Sequence, residues 1–171
     1  MTEPGPASPP AGWILRAPRR EDYRWVVERH RELYRRERGW DDRFAALVEA
    51  VVEDLARHSD PARERGWIAE LDGRSVGSVF LVRHPEREGV SKLRLLLVEP
   101  EARGRGIGRR LVAECTAFAR AAGYHAITLW TSSALDSARR LYEAEGYRLV
   151  RERPEELFHE GELGQEWELM L

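Results

Sequence analysis

The chain has 171 residues and a formal net charge of -2, from 28 basic and 30 acidic side chains; that length suits one domain burying its own core, and the balanced charge gives no global bias toward nucleic acid or an anionic membrane, so any polyanion site must be local. The one cysteine, Cys115, cannot close an internal disulfide, and no Cys pair or His/Cys/carboxylate spacing calls for a metal, so a reducing cytoplasm and no metal are expected. The first residues lack the basic and apolar regions of a signal peptide, and no apolar run approaches the ~18 residues of a membrane span.

Residues 1 to 12 are rich in Pro, Gly and Ser and read as a disordered tail, with the domain over 13 to 171. Trp13 to Arg16 reads as a first strand. Tyr23, Val26, Val27, His30, Leu33 and Tyr34 then recur at helical spacing up to Gly39, and Asp41 or Asp42 caps a second helix carrying Phe44, Leu47, Val48, Val51 and Leu55. Two β-type runs flank Asp72-Gly73, a strong hairpin signal, and "SKLRLLLVEP" reads as a strand covered on both faces. Ile107, Leu111, Cys115, Phe118 and Ala122 share a helical face stopped by Gly123. "AITLWT" supplies a fifth strand. Ala134, Ala138, Leu141 and Tyr142 mark a helix stopped by Gly146, and "YRLV" and "GQEWELML" close a mixed α/β sheet of about seven strands. The basic positions other than Lys92 are all arginine, a bias read as genomic base composition.

"ARGRGIGRRL", residues 102 to 111, places three glycines where a strand turns into a helix. Such a turn lets backbone N–H groups converge on an anion at the positive end of the helix dipole. The dinucleotide pattern G-x-G-x-x-G fails at Arg109, and the P-loop pattern fails because no G-K-[ST] is present. What fits is Arg103-x-x-Gly106-x-Gly108 after "LLLVEP". With "TLWTSSALDSARRLYEAEGY" following in order, the pattern resembles the GNAT superfamily of N-acetyltransferases. More narrowly, "LYRRERGW", "PARERGWIAE", "GSVFLVRH", "KLRLLLVEP" and "GQEWEL" resemble the acetyltransferase half of bacterial MarR–GNAT fusion proteins, without their DNA-binding half.

The resemblance implies a GNAT fold, with two helices after strand one and helices after strands four and five, and an enzyme that uses acetyl-coenzyme A (acetyl-CoA) as donor to a primary amine. Backbone N–H groups over Arg103, Gly104, Arg105, Gly106, Ile107, Gly108 and Arg109 would hold the pyrophosphate, with the Arg103 or Arg109 side chain adding charge. An N–H near Leu97 or Val98 would serve the oxyanion, in a sheet splayed open where strands four and five part. Ser132 stands where those relatives carry an Asn toward the pantetheine arm, which puts that contact in question. Tyr142 would act as general acid to the thiolate; the competing role is a core aromatic. Glu37, Glu70, Glu99 and His159 are candidate bases, each also explicable as a surface residue, and ordered water can replace a single base. His30 reads as a packed or solvated histidine. "RHRELYRRERGW" is weighed as a nucleic-acid helix and read instead as a solvated helix lining the acceptor side. The expected partners are acetyl-CoA and an amine, small molecule or protein, with no direct nucleic acid and no membrane, and a homodimer allowed. A non-catalytic acyl-CoA sensor or interaction module is the alternative function.

Overall fold

The structure, a computed structural model, describes residues 12–154 and 161–171. The tail and His159 therefore lie outside the described residues, apart from Gly12. The elements run β1 (Trp13–Arg16), α1 (Arg20–Arg38), α2 (Asp42–His58), β2 (Arg65–Leu71), β3 (Arg74–Arg83), β4 (Val90–Val98), a 3-10 turn (Pro100–Ala102), α3 (Ile107–Ala121), β5 (Ala126–Ser132), α4 (Asp136–Ala144), β6 (Arg148–Pro154) and β7 (Leu163–Met170). One seven-stranded sheet has the order β1-β2-β3-β4-β5-β7-β6. Its neighbours are antiparallel except β4 and β5, which run parallel. This is the mixed α/β arrangement expected from the sequence. Among the described residues no helix is long and apolar enough to cross a membrane.

Local chemistry sets the boundaries. α1 opens with the Arg19 N–H donating to the Asp22 carboxylate at 2.6 Å and ends at Gly39, whose φ of 69° favours a residue without a Cβ. Asp41 caps α2 by accepting from the Arg43 N–H at 2.9 Å. Asp72 and Gly73 both take positive φ, 50° and 77°, as a tight two-residue hairpin requires. α4 starts later than its apolar spacing suggests: Ala134 precedes the helix, its N–H donating to the Ser132 hydroxyl at 3.2 Å.

Helices cover both faces of the sheet. Val26, Phe44, Val48 and Val52 pack on Ile68 and Phe80, while Ile107, Leu111 and Cys115 pack on Ala69, Val79 and Ile127 from the other side. Each such fully buried aliphatic side chain contributes roughly 1.5–3 kcal/mol, so the sheet is held from both sides by ordinary apolar burial.

β4 departs from the expectation of uniform burial. Lys92, Arg94, Leu95, Leu96 and Val98 are only half-buried. β3 pairs Ser78 with Leu97 but Phe80 with Arg94, so Leu95 and Leu96 together oppose Val79 in a bulge. Leu95 takes φ 58°, a left-handed conformation costing a β-type residue roughly 1–2 kcal/mol, and the Ser78 hydroxyl donates to its carbonyl at 2.8 Å. On the other edge, β4 pairs with β5 only from Val90 to Lys92. Beyond Lys92 the two strands separate, and the rest of β4 has no strand partner on that side. The sheet thus forks at Lys92, as the resemblance implied.

Candidate active site

Two cavities meet at this fork. One, about 430 Å³, lies between the glycine loop, the end of β4, α1 and α4. The other, about 710 Å³, lies on the α1/α2 side of β4 and β5. Tyr34, Leu96, Leu135 and Ala138 line both, so the two cavities adjoin at the fork.

The glycine loop has the properties of an anion cradle. Gly104 and Gly106 take φ 77° and 80°, and a Cβ on either would meet no heavy atom within 4 Å, so both expose bare backbone. The first α3 hydrogen bond runs from the Arg110 N–H to the Gly106 carbonyl, and no side chain caps Gly106. Among the described residues, the N–H groups from Gly104 to Arg109 therefore have no protein acceptor. No acidic residue occupies the first turn of α3. An anion is what these donors lack, and the cleft they border is large enough to admit one on a longer ligand. Gly108 is different: its φ is ordinary, and a Cβ there would sit 3.4 Å from Leu141 and 3.7 Å from Val98, as a close helix–strand contact.

The two arginines expected to add charge are already engaged. Arg103 donates to the Val98 carbonyl at 3.1 Å and pairs with Glu37 at 3.1 Å, while Arg109 pairs with Glu145 at 3.0 Å. These pairs are exposed and weak, so they can exchange for a stronger anion. Arg38 of α1 also lines this cleft, and its buried Nε has no hydrogen-bond partner among the described residues. Leu97 and Val98 line the cleft on the unpaired edge of β4.

Ser132 reaches neither cavity. It is buried, and its hydroxyl donates to Glu162 at 2.7 Å; Glu162 also accepts from the Trp40 indole at 3.1 Å. Its role is to tie the end of β5 to the start of β7.

Tyr142 lines the second cavity, with its ring centroid 5.8 Å from that of Tyr147. It is almost fully buried, and burial pushes its phenol well above the ordinary tyrosine range, with Tyr34 and Cys115 as lesser contributors. Its proton is therefore retained at any ordinary pH. Tyr34, beside it in the same cavity, is pushed up to about 12, first by burial and then by the charge of Glu37.

Three of the four candidate bases are carboxylates already in ion pairs. Glu99 is buried and held by Arg29 at 2.5 and 3.0 Å, Glu70 pairs with Arg16 at 2.7 Å, and Glu37 pairs with Arg103. Of these only Glu37 lines a cavity, the one at the glycine loop. His30 does line the second cavity and is fully buried. Its Nδ1 lies 2.7 Å from the Val26 carbonyl, which fixes Nδ1 as the protonated nitrogen, and its Nε2 has no partner among the described residues. Burial lowers its pKa to about 4, so it is a neutral imidazole. Lys92 and Arg94, which the strand reading treated as part of an apolar run, line the same cavity. The arginines of α1 weighed as a nucleic-acid surface are partly engaged within the chain: Arg29 with Glu99 and Glu32, and Arg35 with Asp42.

Comparison with known proteins gives this geometry its family. The solved structure of yncA from Salmonella typhimurium with its cofactor acetyl-CoA superposes with a TM-score of 0.75 at 18% identity, covering 94% of each chain. A GCN5-related N-acetyltransferase from Kribbella flavida gives 0.76 at 23% identity, covering 95% of this chain and 100% of its own. Among curated proteins, an N-acetylaspartate synthetase from Danio rerio is 33% identical over 107 residues, 63% of this chain and 38% of its own. A mycothiol acetyltransferase from Thermobispora bispora is 33% identical over 106 residues, 57% of this chain and 35% of its own. The chain thus spans well under half the length of these two relatives. Residues 19–147 match the model of the acetyltransferase (GNAT) family, from α1 through the glycine loop to the end of α4, and the chain belongs to that family.

Proposed function

We propose that the chain is an acetyl-CoA-dependent N-acetyltransferase of the cytoplasm, acting on a primary amine by direct attack. The observation that carries the reading is the row of unpartnered N–H groups from Gly104 to Arg109, opening on a cleft that joins a second cavity at the fork of β4 and β5. The first cavity suits a donor with a pyrophosphate, and the second suits the acceptor. The likeness to the acetyltransferase half of MarR–GNAT fusions belongs to the same reading. The relatives are named for different chemistry, N-acetylaspartate in one case and mycothiol in the other, so their names alone select no acceptor.

In the reaction, the neutral amine attacks the thioester carbonyl carbon and the carbon–sulfur bond breaks. The N–H groups of the loop hold the donor's pyrophosphate through residues 103 to 109. A β4 N–H near Leu97 or Val98 donates to the carbonyl oxygen as it gains charge. Tyr142 donates a hydrogen bond to the departing sulfur, and the surplus proton of the nitrogen leaves through water. Because the Tyr142 phenol is held well above a thiol's pKa of ~8.5, its part is to stabilise the thiolate through a hydrogen bond, with solvent completing the proton balance.

The test is Tyr142→Phe, which keeps the ring in its packing. The expected result is a kcat loss of roughly 10²-fold with coenzyme A affinity unchanged. A variant with wild-type turnover returns Tyr142 to a core role.

A further inference from the structure

The acceptor cavity holds two cations that the fold leaves unpaired. Lys92 stands at the last β4–β5 pair, opposite Thr128, and Arg94 follows two residues later, just before the bulge at Leu95. Both are half-buried and line the cavity among Phe44, Leu95 and Trp130. Among the described residues neither makes an ion pair or a side-chain hydrogen bond. The cavity does not lack acids: Arg87 pairs with Glu168 at 2.9 Å, and Arg151 with Glu166 at 3.2 Å. The chain therefore neutralises the rim and leaves Lys92 and Arg94 open. Lys92 is also the one lysine of a chain that otherwise uses arginine at every basic position.

An unpaired guanidinium partly withdrawn from water is costly unless an anion meets it. Burial is the main cause lowering the pKa of both groups, and Arg94 lowers that of Lys92 further; Glu166 and Glu86 at Lys92 and Asp54 at Arg94 offset this only in part, so each would gain from a closer negative partner. Because a guanidinium offers paired N–H donors in one plane, it matches a carboxylate in two parallel hydrogen bonds. Glu86, which makes no ion pair among the described residues, leaves a carboxylate on the same cavity that disfavours a multiply charged anion and favours an ammonium group on the same molecule. We infer that the acceptor is a small amine that itself carries a carboxylate, an amino acid in the broad sense, with the carboxylate held by Arg94 and Lys92 and the amine directed to the fork beside Tyr34 and Leu96.

This deepens the acetyltransferase reading and rests on it for turnover, although the carboxylate site can be read without turnover. The assay offers the full chain and acetyl-CoA two matched pairs of amines, glycine with glycinamide and β-alanine with propylamine, and follows thiol release. The acid of each pair is expected to exceed its carboxylate-free partner at least ~10-fold in kcat/KM, compared at a pH where the fraction of neutral amine in the two is known. Arg94→Gln is expected to raise KM for the acid at least ~10-fold, to affect the carboxylate-free amine far less, to leave the KM for acetyl-CoA unchanged, and to melt within a few degrees of wild type. Arg94→Lys, which keeps the charge but not the planar pair of donors, should recover part of the loss. In parallel, isothermal titration with N-acetylglycine, a product-like carboxylate, should show binding to the wild type that Arg94→Gln and Lys92→Gln both weaken. Equal turnover of acid and carboxylate-free partner overturns the inference and leaves the acetyltransferase reading standing. Absence of turnover, with N-acetylglycine binding that depends on Arg94, leaves the carboxylate site and overturns the enzyme reading. No N-acetylglycine binding, or binding unaffected by either substitution, overturns the site.

Discussion

Replacing Gly106 by alanine separates the loop's structural cost from its binding role. Gly106 takes φ 80°, so alanine there strains the backbone by about 1–2 kcal/mol, while its Cβ meets no protein atom within 4 Å and adds no clash. At about 2–4 °C per kcal/mol for a chain of this size, the melting temperature should fall by roughly 2–8 °C and the fold should persist. Gly73 is the matched control, since its φ is 77° and its Cβ position is equally open, but it sits in the β2–β3 turn away from both cavities. Gly73→Ala should lose comparable stability. The two variants should differ in ligand affinity, because Gly106 lines the cleft at the glycine loop and Gly73 lines neither cavity. Titration calorimetry with coenzyme A should show a Kd at least ~10-fold weaker for Gly106→Ala, about 1.4 kcal/mol, and unchanged for Gly73→Ala. Gly106→Asp adds a negative charge facing the pyrophosphate and should bind weaker still. Wild-type affinity in Gly106→Ala, or equal weakening in Gly73→Ala, would refute the assignment of the loop as the anion site.

Other expectations follow from buried polar groups. The pKa of His30 falls from 6.5 to about 4 on folding, so between those values the unfolded chain binds more protons, and stability rises with pH across that window. The ceiling is ~3 kcal/mol, and His30→Phe should flatten the acid side of a plot of stability against pH; a wild-type slope in the variant would show that other groups carry it. Glu99→Gln removes a buried charge-assisted pair with Arg29 and should cost about 1–3 kcal/mol in denaturant unfolding while keeping the wild-type pH–rate profile. A lost basic limb in that profile would instead identify Glu99 as the base. Ser132→Ala should cost about 1 kcal/mol, through the lost bond to Glu162, with coenzyme A affinity unchanged; weakened affinity would mean that this serine does reach the donor.

The fold was legible because its signals are local. Helix periodicity, the Asp41 cap, the Asp72-Gly73 turn and the glycines after α1, α3 and α4 each constrain a few neighbouring residues, and apart from the later start of α4 each appears where the spacing places it. The turn of the glycine loop into α3 was legible for the same reason, since three glycines at a helix start form a short contiguous stretch. The second cavity was not. Lys92 and Arg94 sit in a segment whose leucines dominate any reading of burial, and only the bulge at Leu95 together with the parting of β4 from β5 reveals that this stretch of strand borders open space. The arginine partners were equally hidden: Arg103 with Glu37 and Arg29 with Glu99 join residues 66 and 70 positions apart. Nothing in the local pattern could show that Arg103 and Arg109 are engaged while Arg38 faces the cleft.

If the two cavities form one reaction path, the full chain incubated with acetyl-CoA and a panel of primary amines releases free thiol and acetylated amine together, the latter quantified by mass spectrometry. The two are expected in equal amounts, both lowered strongly by Tyr142→Phe. Tight coenzyme A binding with no acetylated product from any amine would contradict this and identify the chain as an acyl-CoA sensor.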